Sequence, residues 1–399
     1  MASIARKNLL EDIPRFLVAQ VGIMFAVSLV TIQTGLQAGF TRSTSLLIDQ
    51  SQADIWLTAR NMEHLGLAMP MPYERRAQAA QVDGVAAAEA VIIRGSVWGQ
   101  PAADRVSSVT IVGADPNGLL LAPLTVTQGN LSDLNQPYRV MVDKTSARSL
   151  NIRQVGDRGL LASLPAEVVG FTQGTQSIVF ETLLITSLPT ANAYAKSLLP
   201  TKSLTDIAIQ PRPDDPPAIA NTDTVSFLLI KAEAGTDLAA LRQRLEDELD
   251  NVRAYTKADM ATQTQRYWEQ RSGIGFILGM GAVVGIVVGI IIVGQILYSS
   301  VSDHLKEFGT LKAMGASNWF IYSVIVEQAL WMAILGYVPG MALCTGVAAW
   351  TAATQGITIL ITPASAAIVL GTTVLMCVGS AIFAIQKVTR VDPAIVFKS

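Results

Sequence analysis

Long stretches without charged residues constrain this chain more than any other feature of its sequence. Of its 60 charged residues, five precede Phe16, nine lie in Ser272–Ser399, and the other 46 lie between Gln37 and Arg271. The two ends are too apolar for a water-soluble surface, whereas the middle has the charge content of a soluble domain. The distribution indicates a membrane protein with a large water-soluble insert. The net charge of −2 excludes a basic footprint for nucleic acid.

Four membrane spans follow from the apolar runs, because a helix needs about 20 apolar residues to cross a bilayer core of about 30 Å. The predicted spans are residues 16–36, 273–297, 318–350 and 363–385. No charged residue occurs between Glu327 and Lys387, so that stretch must fold back on itself. We expect the hairpin at the polar segment Thr351–Gly356, within a short loop 351–362, and a kink of the third span near Pro339.

The Lys and Arg residues flanking the spans predict the orientation. Eight of them flank the termini and the loop between spans two and three, and none lies in the 351–362 loop; they are Arg6, Lys7, Arg15, Lys306, Lys312, Lys387, Arg390 and Lys398. By the positive-inside rule, three segments are cytoplasmic: an amphipathic N-terminus (1–15), the 298–319 loop and the tail (386–399). The insert 37–272 is then extracytoplasmic.

The first apolar run has an alternative interpretation as a signal peptide, since a basic start before an apolar run is common to both. The run is longer than a usual signal sequence, and no convincing small-residue cleavage site follows it. Removing it would also leave three spans that conflict with an outside insert. We therefore expect a retained span.

The insert has the pattern of an α+β domain. Strand-like runs alternate with helical ones: Ala53–Thr58, Val106–Val112, Arg139–Val142 and Thr224–Ile230 are the predicted strands, and Tyr73–Gln81 and Leu238–Leu249 the predicted helices. The proline-rich Pro211–Pro217 is a stiff exposed connector. We predict two subdomains, with residues 115–220 inserted into a part made from both flanks.

No catalytic or metal-binding pattern occurs in the sequence. The insert contains no G-x-S-x-G, no H-E-x-x-H and no paired carboxylates at informative spacing. Cys344 and Cys377 lie in apolar runs, and His64 and His304 are far apart. We therefore expect a non-enzymatic chain without a metal site, in which the cysteines are buried packing residues.

The 298–319 loop carries an amphipathic pattern. Apolar residues recur at helical spacing from Val301 to Leu311 with charged residues around them, and Gly315 is suited to end the helix. Such an elbow between two spans would engage a soluble motor protein. An interfacial helix lying on lipid would have the same pattern, so spacing alone leaves both possibilities open.

The elbow also carries a resemblance to a known family. Its segment Lys306–Ala316, reading KEFGTLKAMGA, resembles the signature of the MacB/FtsX-type permeases, and Val301–Gly315 is most similar to the DevC-type branch. The tail Arg390–Phe397 and the four-span layout fit the same family. The predicted ATPase-coupling residues all lie in this elbow: Asp303, Lys306, Glu307, Phe308, Lys312 and Gly315. Four of them, Lys306, Glu307, Lys312 and Gly315, match the elbow of the family position by position. Phe308 departs from the aliphatic residue usual there.

The resemblance implies a mechanism and partners. Family members form homodimers with two ABC ATPases, and ATP-driven movement of the spans moves the extracytoplasmic domains, which act on substrate outside. The sequence has no G-x-x-x-x-G-K-[ST] motif, so we expect ATP and Mg²⁺ to be held by a separate ATPase chain. The DevC-type branch further implies glycolipid export with a periplasmic adaptor and a TolC-like outer-membrane duct. Two alternatives stay open: an FtsX-like scaffold regulating a cell-wall hydrolase, and lipoprotein release.

Two groups of residues within the spans are further candidates. Gly281, Gly285 and Gly289 recur every four residues, which predicts either a homodimer interface or packing against another span of the same chain. Polar side chains in lipid are costly, so Gln295, Glu327 and Gln328 mark a function or a structural hydrogen bond, for example between Glu327 and Gln295.

Overall fold

The computed structural model describes residues 13–100, 105–177, 181–197, 215–355 and 358–389; of Lys306, Gln355 and residues 387–389 it describes the backbone only. The predicted N-terminal amphipathic segment (apart from residues 13–15), most of the proline-rich connector and the tail from Arg390 lie outside the described residues. The chain forms two compact units. We call Met1–Gly39 with Gly273–Ser399 the helical unit and Phe40–Ser272 the α+β unit.

The helices in the described residues are α1 (Ile13–Gln50), α2 (Arg75–Ala79), α3 (Leu188–Lys196), α4 (Leu238–Glu248), α5 (Lys257–Ser272), α6 (Ile274–Asp303), α7 (Leu305–Ala313), α8 (Asn318–Gln355) and α9 (Pro363–Thr389). Four of them, α1, α6, α8 and α9, are long and apolar enough to cross a membrane. In lipid, a helix satisfies all its backbone hydrogen bonds internally, which is why these apolar runs form helices.

α1 continues well past the predicted span 16–36. Beyond Gly39 it presents a buried face of Phe40, Thr44, Leu47 and Ile48, spaced at i, i+4, i+7 and i+8. This spacing is that of an amphipathic helix lying on a core. α1 therefore contributes to both units, as an apolar helix in the helical unit and as an amphipathic one in the α+β unit.

The predicted hairpin at Thr351–Gly356 is wrong over its described part, because α8 continues to Gln355. The hydroxyl groups of Thr351 and Thr354 donate back to the carbonyl oxygens of Ala348 and Trp350, at 3.1 Å and 2.8 Å. These bonds let threonines that suggest a turn remain inside a helix. α8 also contains Pro339 within its length; the kink predicted there stays a prediction.

The strands of the α+β unit are β1 (Ile55–Ala59), β2 (Met71–Pro72), β3 (Val85–Gln100), β4 (Arg105–Ala114), β5 (Thr125–Gln128), β6 (Arg139–Asp143), β7 (Arg158–Leu161), β8 (Leu164–Gln173), β9 (Thr182–Ser187), β10 (Thr224–Val225), β11 (Phe227–Ala232) and β12 (Val252–Thr256). In the described residues, ten of them form one mixed sheet of order β12-β1-β11-β3-β4-β9-β6-β8-β5, with β7 beside β3 and β8. β2 and β10 pair separately.

Both faces of this sheet are covered by apolar side chains. In β1, Ile55 and Leu57 belong to one core with Leu241 and Leu245 of α4. Trp56, between them, belongs to the opposite core, which contains Met260 and Ala261 of α5. Side chains alternate along a strand, so a run that is apolar on both faces indicates a sheet buried on both sides.

In the sheet, β3 and β4 lie between the other strands of the flanks and the strands of the middle of the insert. Val85–Val91 of β3 pair with β11, and Ile92–Gln100 pair with β4. β1, β11 and β12 come from the flanks, whereas β5 to β9 come from the middle. The two-subdomain division stays a prediction, but the fold class is confirmed: four long apolar helices and a mixed α+β domain between the first two.

Candidate functional site

The loop between the second and third spans forms a helical elbow. α6 ends at Asp303, α7 begins at Leu305, and His304 caps both helices. α7 ends in a Schellman motif, in which Gly315 has φ +94° and the N–H of Ala316 donates to the carbonyl of Leu311 at 2.9 Å. Glycine is favoured here because a side chain strains this backbone conformation.

The inner face of α7 belongs to the core of the helical unit. Phe308 is only 3% exposed and lies in the same apolar cluster as Val301 of α6 and Ile321 and Val324 of α8. Leu311 packs against this cluster. This position assigns Phe308 to the packing of the elbow against the spans and not to its outer surface. An aromatic ring in place of an aliphatic side chain enlarges that packing.

The outer face of the elbow combines polar and apolar side chains. Asp303, Glu307 and Thr310 are exposed on it. Immediately after α7, Met314 is 72% exposed and Trp319 is 80% exposed. Met314 follows α7 directly and Trp319 is the second residue of α8, so these exposed apolar side chains are available to a partner protein or to lipid. Neither Met314 nor Trp319 is among the coupling residues predicted from the sequence.

Two side-chain contacts involve acidic residues of the elbow. Arg15, at the start of α1, forms a salt bridge with Asp303, and His304 Nδ1 lies 3.2 Å from Glu307 Oε1. Lys312 is half-buried, and the side chain of Lys306 lies outside the description. Asp303 therefore joins the elbow to the first span, a contact between residues far apart in sequence that spacing could not reveal.

The glycine stripe of α6 contacts helices of the same chain. A Cβ at Gly281 would lie 2.6 Å from Gln33 Nε2, and one at Gly285 would lie 3.1 Å from Leu29 Cδ2, both on α1. A Cβ at Gly289 would lie 2.2 Å from Met376 Sδ on α9. These contacts correspond to the intrachain alternative, so a homodimer interface built on the same three glycines has no support from this packing.

The intramembrane polar residues do not form the expected hydrogen bond. Gln295 is exposed and Glu327 is half-buried, and among the described residues neither makes a hydrogen bond to the other. Gln328 is 1% exposed, and its Oε1 has no hydrogen-bond partner in the described residues. The suggested latch between Glu327 and Gln295 is therefore not present.

Two glycines that the sequence analysis did not select carry a close contact in the helical unit. A Cβ at Gly39 would lie 2.0 Å from the carbonyl oxygen of Thr358, and one at Gly35 would lie 2.6 Å from Ile359 Cγ2. The N–H of Leu360 donates to the carbonyl of Gly35 at 3.0 Å. The segment between α8 and α9 thus lies directly on α1. The four-residue spacing of Gly35 and Gly39 is the signal that could have indicated this contact.

The α+β unit contains a groove of about 870 Å³ next to β3. Glu89 lies in its wall and accepts hydrogen bonds from the N–H groups of Asp115 (3.3 Å) and Leu119. A Cβ at Gly118 would lie 2.2 Å from Glu89 Oε2, so this carboxyl group can approach only because residue 118 is glycine. Burial raises the pKa of Glu89 to about 7, although the backbone hydrogen bonds oppose that shift.

In the described part of the chain, no group of three or more His, Cys, Asp or Glu residues is arranged to hold a metal ion. Two surfaces among the described residues are candidate sites: the outer face of the elbow in the helical unit and the groove beside β3 in the α+β unit. Four helices able to span a membrane, a large domain between the first two and an elbow between the next two form the layout that the resemblance of the elbow predicts.

Comparison with known proteins gives the family. Residues 16–248 match the MacB-like periplasmic core domain, and residues 279–393 match the FtsX-like permease C-terminal domain. The first match alone covers more than half of the chain, and the chain belongs to the MacB/FtsX-like permease family. It is accordingly a multi-pass membrane protein whose α+β unit is extracytoplasmic.

Individual relatives are more distant. The chain is 26% identical over 256 residues to the macrolide export ATP-binding/permease protein MacB of Agrobacterium fabrum (strain C58 / ATCC 33970), covering 61% of this chain and 36% of that protein. The chain therefore spans about a third of the length of this relative.

Two solved structures are also similar. The periplasmic region of MacB from Actinobacillus actinomycetemcomitans matches with 9% identity and a TM-score of 0.37, covering 54% of this chain and 94% of that one. The extracellular domain of the ABC-type transporter YknZ from Gram-positive bacteria matches with 12% identity and a TM-score of 0.35, covering 51% and 99%.

Proposed function

We propose that this chain is the permease subunit of a MacB-like ABC exporter whose ATP hydrolysis is supplied by a separate ATPase chain. ATP and Mg²⁺ are held by that partner, and this chain converts the partner's movement into movement of its extracytoplasmic unit. The observation that carries the proposal is the two-faced elbow. Its inner face, centred on Phe308, is buried among the spans, whereas Met314 and Trp319 are exposed.

This arrangement suits a mechanical coupling element. A partner that displaces the outer face moves α7 as a body, because the inner face is packed into the helical unit. α7 is connected to α6 through the single residue His304, and α8 begins at Asn318, a few residues beyond the end of α7. Displacement of the elbow is therefore passed to the second and third spans.

The finer assignment follows the resemblance of the elbow to the DevC-type branch. We infer a homodimer in a bacterial inner membrane that works with a periplasmic adaptor and a TolC-like outer-membrane duct to export a glycolipid. The similarity to a macrolide exporter is compatible with export as the reaction class. The face of α6 that carries Phe276, Met280, Val283 and Val287 is exposed and is available to lipid or to a second copy.

Co-purification tests the coupling surface. The tagged chain is expressed with the ATPase encoded beside its gene, and the ATPase recovered in detergent is measured for the wild type, Met314→Glu and Trp319→Ala. We expect both variants to lose most of the ATPase, because they remove apolar contact area from the outer face. Trp350→Ala is the matched control, since Trp350 is 64% exposed on the same helix as Trp319 but near its opposite end.

Recovery of equal ATPase by the wild type and both elbow variants would contradict the coupling role of this surface.

A second candidate function is an FtsX-like scaffold that regulates a cell-wall hydrolase, and a third is lipoprotein release. Adjacent genes for an adaptor and an ATPase favour export, whereas an ATPase gene beside a cell-wall hydrolase gene favours the scaffold.

A further inference from the structure

The extracytoplasmic α+β unit carries an apolar projection that the exporter function does not explain. In the described part of this unit, three large hydrophobic side chains are exposed: Leu67 (56%), Met69 (56%) and Val106 (52%). Two of the three lie in one short loop, Gly66–Pro70, which we call the 66–70 loop. The sequence has no Asp, Glu, Lys or Arg between Glu63 and Glu74, so the 66–70 loop itself carries no charged side chain.

The 66–70 loop is held in a fixed conformation. The N–H of Gly66 donates to His64 Nδ1 at 3.1 Å, and the N–H of Leu67 donates to the carbonyl of His64 at 3.0 Å. Leu65 is 2% exposed and lies in the apolar core that also contains Met260 of α5. The exposure of Leu67 is therefore built into the fold, and Met69 follows it by two residues in the same loop.

An aromatic cluster attaches the loop to the last two turns of α5. The ring of His64 stacks on Tyr267 with centroids 4.2 Å apart and meets Trp268 edge-on at 5.2 Å. Only 7% of His64 is exposed, and burial lowers its pKa against the opposing effect of Glu63, which favours the neutral ring. The loop is thus fixed beside Tyr267 and Trp268.

The path of the chain brings these aromatics close to the membrane. α5 ends at Ser272, and the second spanning helix begins at Ile274. From Trp268 to Ser272 the helix rises about 6 Å, at about 1.5 Å per residue. The polar layer of a bilayer is roughly 5–8 Å thick on each side. Whatever the direction of α5, the chain keeps Tyr267 and Trp268 within a few residues of the start of the span, and tyrosine and tryptophan are enriched near span ends.

We propose that the 66–70 loop is a membrane anchor that inserts Leu67 and Met69 into the headgroup region of the outer leaflet of the inner membrane. Arg266 and Arg271 are exposed on the same helix and can contact lipid phosphates. A second protein is a poorer occupant, because two side chains fall far short of the about 800 Å² per partner that a stable interface buries. The anchor fixes the depth of α5 in the leaflet, independently of which ATPase drives the permease.

Site-specific fluorescence tests the anchor. The full-length chain carries Leu67→Cys, Met69→Cys or Val106→Cys and is labelled with a nitrobenzoxadiazole group after reconstitution into nanodiscs of phosphatidylethanolamine and phosphatidylglycerol. The wild-type chain gives the labelling background, since Cys344 and Cys377 are buried. Val106 is the matched control because it is an apolar residue of nearly equal exposure on β4. Quenching is compared between iodide in the water and nitroxide-bearing lipids.

At positions 67 and 69 we expect emission shifted to shorter wavelength, weak quenching by iodide and strong quenching by lipids labelled near the headgroup. At position 106 we expect strong quenching by iodide and none by lipid. Iodide quenching at 67 and 69 equal to that at 106 would overturn the proposal. Protection at 67 and 69 from both quenchers would also overturn it, because a protein surface would then cover the loop.

Discussion

At the scale of single residues, Glu89 both binds the Asp115–Leu119 segment and has a raised pKa, so it makes the stability of the α+β unit depend on pH. Its carboxyl group holds the Asp115–Leu119 segment beside β3 by accepting two of the segment's backbone hydrogen bonds. The same burial that makes these bonds possible raises the pKa of Glu89 to about 7. A glutamate among alanines in a strand gives no sign of this role in the sequence, because its partners lie 26 and 30 residues away.

Glu89→Gln should change how stability depends on pH. The folded state keeps the Glu89 proton up to about pH 7, whereas the unfolded chain releases it near its ordinary value of 4.5. The contribution of Glu89 to the free energy of unfolding is therefore fully present below pH 4.5 and is lost as the pH rises towards 7. We expect thermal unfolding in detergent between pH 4.5 and 8 to show this decline in the wild type and a flatter profile in the variant.

Glu248→Gln is the control for this measurement, since Glu248 is exposed at the end of α4. It should keep the wild-type profile. An unchanged pH profile in Glu89→Gln would mean that the carboxyl group at position 89 does not retain its proton in the folded protein.

At the scale of elements, the segment between α8 and α9 is positioned by the glycines of α1. The carbonyl of Thr358 occupies the place of a side chain at Gly39, and Leu360 donates a hydrogen bond to Gly35. The elbow shows the same principle at the other end of the spans, where Phe308 packs between α6 and α8. In both places, small or buried residues determine how a connecting segment lies against the spans.

Gly39→Ala should destabilise the helical unit. The added methyl group would lie 2.0 Å from the Thr358 oxygen, which forces the segment to move. Overpacking of this kind costs about 1–3 kcal/mol. Gly371→Ala on α9 is the control, because a Cβ there has no neighbouring atom within 4 Å among the described residues. Thermal unfolding in detergent should show a lower midpoint for Gly39→Ala only; equal midpoints for the two variants would contradict the contact.

At the scale of the whole molecule, the chain divides into a helical unit and an α+β unit, each with its own core. Such a division suits a protein in which one unit is moved from the cytoplasm and the other acts outside. Within the helical unit, α6 has two kinds of surface: a glycine stripe packed against α1 and α9, and an exposed apolar face. A homodimer through α6 would use the second surface.

Gly285→Leu tests which surface of α6 serves the single chain. The leucine side chain would collide with Leu29 of α1, so we expect a lower unfolding midpoint in detergent. Val287→Leu, on the exposed face, should leave the midpoint unchanged, since Val287 is 48% exposed. If Gly285→Leu kept the wild-type midpoint but lost cysteine cross-linking between copies, the glycine stripe would be the dimer interface instead.

The sequence by itself determined the four spans, the α+β insert, the elbow and the family. These properties depend on the length of charge-free runs, on the flanking Lys and Arg, and on a contiguous motif, all of which are local along the chain. The Thr351–Gln355 segment shows the limit of such signals, because turn-prone residues continue a helix where the backbone hydrogen bonds remain satisfied. The end of α8 was accordingly predicted too early.

Only the tertiary structure decided which faces meet. It placed Phe308 inside the helical unit, Asp303 beside Arg15, and the glycine stripe against α1 and α9. It also joined the Glu89 carboxyl group to the backbone of Leu119. Each of these contacts joins residues far apart in sequence, and the gain from burying or pairing them depends on how the helices and strands pack together. A single sequence records which residues can make such contacts, but packing selects the partner.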